Sequence, residues 1–398
     1  VSRQNNNHHI LYAWEWGTGF GHLSRFALLG SRLVSDGFRV TVAACDLSHV
    51  HRFFHPSIFQ IRQAPTKTNL SHAPFRNPTT IAGLAYNLGY DSPDHVAVFA
   101  NAWRGLIADV RPTHVVSDFG IGAAIGIRGH GIPIIQIGTG YACPPPKTPL
   151  QSMKGLTPHQ GEWNLEQSMV QWVNDALSRQ AEPFEFFAAI LQSDPGILLS
   201  TVPELDHYQR DDQATHLGIW DHVDGRSVQW PGLRKKKVFA YLKPNPGNDA
   251  LIQSVLDAGA EVAAVSLREP RNEKATKGEP LVKHQSGAVT LKSVAEECDF
   301  AITNGNHGST LRLLSYGIPV MACPLYLEQR VTAATLERLG LGVSAALHQP
   351  HLFEEKVHAA IGMRNSPTLN DFRRNYMGQF GVEAEENAYQ SLRRQLQI

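Results

Sequence analysis

Short apolar runs at 10–14, 38–44, 59–62, 114–117, 133–137 and 197–200 are bounded by Gly, Pro and Asp, which predicts buried strands. Between them, apolar positions recur at helical spacing. Leu23, Phe26, Ala27, Leu29, Leu33 and Val34 mark a helix over 22–34, stopped by Asp36-Gly37. Further helical runs cover 96–110, 121–128, 163–177 and 184–191. Strands alternating with helices predict a parallel, doubly wound α/β sheet. Two stretches break the pattern with Pro, Asn and His, 66–94 and 138–161, and these are expected to build a binding region.

The pattern then repeats. Residues 203–233 are polar and broken by Gly and Pro, and a second series of strands begins at 238–242. A helix over 249–256, a strand at 261–265, a polar loop at 268–278, a short strand at 281–284 and a helix over 291–297 follow. Next come a strand at 300–303, a helix over 310–316, a strand at 320–323 and a loop from Pro324 to Gln329. Three helical runs, 352–361, 369–377 and 383–396, close the chain. A length of 398 residues suits two domains. The expected division is 1–205, a linker at 206–236, a second domain at 237–380 and a final helix within 381–398.

A doubly wound sheet places its first and fourth strands side by side, and ligands bind beyond their carboxyl ends. That rule brings His22, after the first strand, to Asp118, after the fourth. In the second half it sets Lys243 beside the stretch Asn304-Gly-Asn-His-Gly-Ser-Thr310. There, Gly305 and Gly308 let backbone approach a ligand, and Asn304, Asn306, His307, Ser309 and Thr310 offer polar side chains. The helix that starts in this stretch turns its N–H groups and positive dipole end toward an anion. Histidine suits proton abstraction near neutral pH, and a carboxylate behind it fixes the tautomer. Each residue also has a plainer use, since His22 at a helix start and Asp118 before one are ordinary capping positions.

The whole stretch 298–342 resembles the donor-binding motif of family 1 glycosyltransferases, plant and bacterial enzymes that glycosylate small molecules. The glycine-rich loop 304–310, Gly317-Ile-Pro319, and Pro324 leading to Glu328-Gln329 match it in order and spacing. Two residues depart from it. Asn304 stands where the family has a phosphate-binding histidine, with His307 one turn on, and Arg312 where plant members place a glutamate on the ribose hydroxyls. The resemblance implies the GT-B fold, two facing Rossmann-like domains with a cleft between them and a last helix crossing back to the first. It implies a nucleoside-diphosphate sugar as co-substrate, UDP- or dTDP-linked, with no cofactor, and Glu328 and Gln329 on the sugar hydroxyls. Gly19-Phe-Gly-His22 and Val116-Ser-Asp118 match the family's base and its partner. Trp14, Glu15, Trp16, Phe20, Phe75 and Tyr141 are candidates to line an apolar acceptor pocket, with Glu15 a rival base.

Composition narrows the function classes. Lys+Arg and Asp+Glu are both 36, so nothing points to nucleic acid, and Arg234-Lys-Lys-Lys237 reads as a solvated linker. The four cysteines are scattered, which suits free thiols in a reducing compartment. No apolar run has membrane-spanning length and 1–9 lacks a signal-peptide core, so a cytoplasmic protein is expected. No Asp-x-Asp triplet or His/Cys cluster appears, so catalysis is expected to need no metal. No glutamate pair of the retaining GT-B kind appears near the donor loop, which favours inversion. The expected protein is an inverting sugar transferase for a small, fairly apolar acceptor. A GT-B epimerase and an inactive nucleotide-sugar-binding protein are the alternatives.

Overall fold

The computed structural model describes residues 8–67, 75–157, 160–177, 181–191, 195–210, 214–220, 225–266, 281–285, 287–376 and 379–398. The expected loop at 268–278, part of 66–94 and the first seven residues lie outside them. The chain divides into two compact units, Val1–Asp221 with Gly381–Ile398, and His222–Phe380.

The first unit has strands β1 (His9–Trp14), β2 (Arg39–Ala44), β3 (Gln60–Gln63), β4 (His114–Asp118), β5 (Ile134–Gly138), β6 (Pro195–Leu199) and β7 (Thr215–His216). Its helices are α1 (Phe20–Ser35), α2 (Ile81–Asn87), α3 (Pro93–Val110), α4 (Ile121–Ile127), α5 (Gln160–Leu177) and α6 (Phe187–Ile190). The sheet runs β3-β2-β1-β4-β5-β6-β7, with every pairing parallel.

Strand periodicity decides what packs where. Ile10, Tyr12 and Trp14 of β1 point to the layer formed by α1, while Leu11 and Ala13 point to the layer of α3, α4 and α5. Leu29 and Leu33 of α1 are fully buried, and each such side chain contributes roughly 1.5–3 kcal/mol of transfer free energy. The end of α1 is closed by Gly37 at φ 92°. Its N–H reaches the Val34 carbonyl and that of Phe38 the Leu33 carbonyl, satisfying two terminal acceptors.

The second unit holds β8 (Lys236–Leu242), β9 (Ala260–Ser266), β10 (Val282–His284), β11 (Phe300–Thr303), β12 (Val320–Ala322) and β13 (Gly342–Ser344). These form a parallel sheet in the order β10-β9-β8-β11-β12-β13. Its helices are α7 (Asn248–Asp257), α8 (Leu291–Ala295), α9 (His307–Ser315), α10 (Leu327–Leu339), α11 (Phe353–Gly362) and α12 (Pro367–Tyr376). The final helix, α13 (Val382–Leu396), packs Ala384, Ala388, Tyr389 and Leu392 into the α1 layer of the first unit. Tyr389 donates to Asp36 at 2.6 Å there, and Arg32 of α1 lies 4.0 Å over its ring.

The structure differs from the sequence expectation in three respects. The stretch ending at Gln329 is not wholly a loop, because α10 begins at Leu327 and takes Glu328 and Gln329 into its first turn. The two short strands β7 and β13 sit at sheet edges, too brief to show a period of their own. Residues 206–221, expected in a linker, belong to the first unit by contact.

Candidate active site

In the first sheet β1 and β4 are neighbours with Trp14 level with Asp118. The chain leaves β1, passes Gly17 and Gly19, and starts α1 at Phe20, which puts His22 in the first helical turn. Its Nδ1 lies 3.0 Å from Asp118 Oδ1. The His22 side chain is 20% exposed and that of Asp118 2%, so a reachable imidazole is backed by a buried carboxylate. Trp14 stacks on the imidazole, with ring centroids 5.3 Å apart and planes at 16°.

Asp118 has two more partners. Arg25 donates from Nη1 to Oδ2 at 2.6 Å, and the Tyr12 hydroxyl lies 3.1 Å from Oδ2 and 2.8 Å from the His22 carbonyl. Burial alone would raise the Asp118 pKa. The charges of His22 and Arg25 and the hydrogen bonds outweigh it, holding the carboxyl below its ordinary value. Burial likewise pushes the Tyr12 phenol well up, so it stays a hydrogen-bond donor.

Gly17 leaves room for the imidazole. A Cβ on it would lie 2.2 Å from His22 Nε2, and its φ of 105° disfavours any L side chain. Gly17→Ala is therefore expected to displace the ring and lower turnover about 100-fold. Nucleotide affinity, measured by calorimetry, is expected to stay at the wild-type value. A variant with full turnover would show that the ring has no fixed place to lose.

The candidate acceptor residues part company. Glu15 is buried, accepting from the Tyr90 hydroxyl at 2.5 Å and from the Gly122 N–H at 2.7 Å. Desolvation raises its pKa to about 8. Trp16 is also buried, edge-on to Tyr90 and Phe119. Tyr141 is half-buried and edge-on to Phe119 and His207. These aromatics form a row running past the end of β4. Phe20 packs instead with His49 and Phe53, and Phe75 donates its N–H to Asn87 Oδ1.

Phe119, which sequence reasoning missed, joins the row directly after Asp118 at φ 56°. A left-handed conformation at a bulky residue costs energy and is typical of functional turns. The loop bearing Tyr141 is held from behind. The buried Asp206, kept at a pKa of about 2 despite desolvation by His216 and Arg210, accepts from Arg210 Nε at 2.5 Å and from the Tyr208 N–H at 3.0 Å. Tyr208 in turn donates to the Tyr141 carbonyl at 3.1 Å.

In the second unit β8 and β11 are the corresponding neighbours. Asn304, at the end of β11, is buried. Its Oδ1 accepts the Lys243 N–H at 2.7 Å and its Nδ2 donates to the Cys323 carbonyl at 2.9 Å, tying three strand ends together. Gly305 turns the chain at φ 82°, with the Gln329 carbonyl 3.2 Å from where a Cβ would stand. The helix α9 starts at His307, so His307, Gly308 and Ser309 form its first turn, and Thr310 donates its N–H to Asn306. Gln329 is buried as well. Its Oε1 receives the N–H groups of Leu325 and Tyr326 at 2.8 and 3.2 Å, and its Nε2 donates to Asn306 Oδ1 at 2.7 Å. Glu328 beside it is half-buried, and Lys243 Nζ lies 4.8 Å over the exposed ring of Tyr326. Among the described residues no His, Cys, Asp and Glu side chains converge as a metal-ligand cluster.

No family model matches the chain. A PGL/p-HBAD biosynthesis glycosyltransferase of Mycobacterium tuberculosis is 23% identical over 277 residues, and the match spans 65% of this chain and 64% of that relative, under two thirds of its length. Solved structures are similar over nearly all of the chain. The glycotransferase of kitacinnamycin has a TM-score of 0.70 at 19% identity, covering 98% of this chain and 99% of that one. The calicheamicin glycosyltransferase CalG4 has 0.72 at 16%, with the same coverage. The glycosyltransferase VinC, solved with dTDP, has 0.67 at 13%, again covering 98% and 99%. Joined to the two parallel sheets ordered outward from β1 and from β8, these likenesses establish that the chain has the GT-B fold of glycosyltransferases.

Proposed function

We propose that this chain is an inverting glycosyltransferase, moving a sugar from a nucleoside-diphosphate sugar to a hydroxyl of a small, fairly apolar acceptor. The observation that carries the proposal is the His22–Asp118 pair, 3.0 Å apart at the point where β1 and β4 diverge. With Nδ1 turned to Asp118, Nε2 takes the acceptor's proton as its oxygen attacks the anomeric carbon. The bond from that carbon to the diphosphate oxygen breaks on the opposite side, and one displacement inverts the centre. Asp118 steadies the imidazolium that forms.

The second unit is assigned the donor. The first turn of α9, with Gly305 and Gly308 to admit close approach, stabilises the charge of the departing diphosphate, and Lys243 adds a cation. No metal is invoked in this step. The Asn304 and Gln329 side chains bond backbone and Asn306 and so hold the loop's shape, and the resemblance assigns Glu328, with Gln329, to the sugar hydroxyls. On the first unit the row of Trp16, Phe119 and Tyr141 suits an apolar acceptor. The four thiols are unpaired with one another, which suits the cytoplasm, and no helix among the described residues is long and apolar enough to cross a membrane.

The test is product analysis with dTDP- and UDP-linked donors against a panel of hydroxylated aglycones. Transfer with inverted anomeric configuration is expected, and a retained configuration would sink the mechanism. An altered sugar released without acceptor would mark an epimerase, and nucleotide binding without product an inactive binding protein. Arg312 adds an expectation about the donor. A guanidinium cannot accept a hydrogen bond from a ribose hydroxyl, so dTDP is expected to compete at least as well as UDP. A strong preference for UDP in competition assays would remove that role from Arg312.

A further inference from the structure

We propose that Arg25 is a positioning residue that sets how strongly Asp118 draws a proton onto His22, and with it the lower pH limit of the reaction; the proposal rests on the reading of His22 as base. The two oxygens of Asp118 are divided between two cation-forming groups, Oδ1 to His22 and Oδ2 to Arg25 at 2.6 Å. Among the described residues bonded to Asp118, only Arg25 carries a charge that does not titrate. Asp118, 2% exposed, favours the protonated form of the imidazole it faces, and a second cation on the same carboxylate weakens that pull. The fixed guanidinium charge offsets that pull while the hydrogen bond to Nδ1 keeps the ring oriented.

The fold gives Arg25 this place by several means. It lies three positions after His22 on α1, on the same face of the helix. Its carbonyl is held by the buried Trp220 indole at 2.8 Å, and its side chain is 7% exposed. Asp206 and Arg210, beyond Cys143, carry opposite charges and are bonded to each other, and four other titratable groups around the pair are held toward their uncharged forms. The Tyr12 phenol on β1 is pushed well up, the thiols of Cys45 after β2 and Cys143 after β5 are pushed up to about 12, and Glu15 is pushed up to about 8, in each case first by burial.

The experiment is Arg25→Gln in the full chain, followed by NMR titration of the His22 ring and by the acid limb of kcat/KM. Both midpoints are expected to rise by about one pH unit or more, the range one neighbouring charge produces. Above the new midpoint kcat is expected to return to within about tenfold of the wild type. Arg25→Lys, which keeps the charge, is expected to stay near the wild-type midpoint. A lowered plateau with both midpoints unmoved would mean that Arg25 only supports the fold and would overturn the proposal. Should Arg25→Gln not fold, Arg25→His, which loses its charge as pH rises but keeps a donor toward Asp118, is titrated in its place. The His22 midpoint is expected to lie above the wild-type one, and an unmoved one overturns the proposal. His22→Ala separates the two readings. If that variant keeps its activity the base assignment fails, whereas the ring titration still decides what Arg25 does.

Discussion

His22→Ala is expected to lower turnover by roughly 10²–10⁴-fold, the usual contribution of a positioned general base, with nucleotide affinity unchanged. The variant removes the one ring whose Nδ1 meets Asp118 and whose Nε2 lies against the open backbone of Gly17. It leaves the second unit, where the donor is assigned, untouched. Asp118→Asn keeps the shape but loses the charge that steadies the imidazolium, so a smaller but still large loss is expected. The double variant is expected to be little worse than His22→Ala alone, because both residues act on one proton. Steady-state kinetics with calorimetric titration of the nucleotide reads both quantities. Two losses that simply multiply would mean that Asp118 works elsewhere, and His22→Ala at full activity would remove the base.

Much of this was legible in the chain because the signals are periodic or topological. Uniform apolar runs flanked by turns gave the strands of both sheets except the short edge strands β7 and β13, and the doubly wound rule alone paired His22 with Asp118 across distant sequence. Side chains that act by reaching across the fold were not legible. Arg25 looks like any polar position of an amphipathic helix, and Tyr12 like any core strand residue. Only the placement of β4 shows that both end on Asp118. The hint available was spacing, three residues from His22 for Arg25 and strand alternation from Trp14 for Tyr12. Asn304 and Gln329 carry a second role that the motif does not show. The motif marks them as ligand-facing, and the packed loop adds that the amide of each bonds strand ends or loop N–H groups. The start of α10 was hidden because Pro324, Leu325 and Tyr326 carry a loop's composition up to the cap.

Glu15→Gln is expected to change stability strongly and activity little, the opposite of His22→Ala. Glu15 is buried between Tyr90 and the Gly122 N–H, and desolvation lifts its pKa from 4.5 to about 8. A native group that keeps its proton longer than the unfolded chain gives stability that is complete below about 4.5, erodes as pH rises and is gone above about 8. At roughly 1.4 kcal/mol per pH unit, the erosion across that window amounts to a few kcal/mol. When Glu15 is protonated its O–H turns to the Tyr90 oxygen in place of accepting from it, and glutamine copies that form, its NH₂ donating there and its carbonyl accepting from Gly122. The variant is therefore expected to match the wild type near pH 5 and exceed it near pH 8.5 in urea denaturation. Glu166, raised by burial to about 7, erodes stability in the same sense, so the variant keeps that smaller slope. Six of the seven tryptophans lie in the first unit, so their fluorescence follows the transition that matters. Equal pH slopes in the two proteins would mean that Glu15 is ionised in the fold and paid for by its hydrogen bonds. Turnover within a few-fold of the wild type is expected as well, because the carboxyl is buried against Tyr90 and the Gly122 N–H. If Glu15→Gln abolishes transfer while His22→Ala does not, the base is Glu15, and the loop after β1 opens in a way that brings its carboxyl to the acceptor.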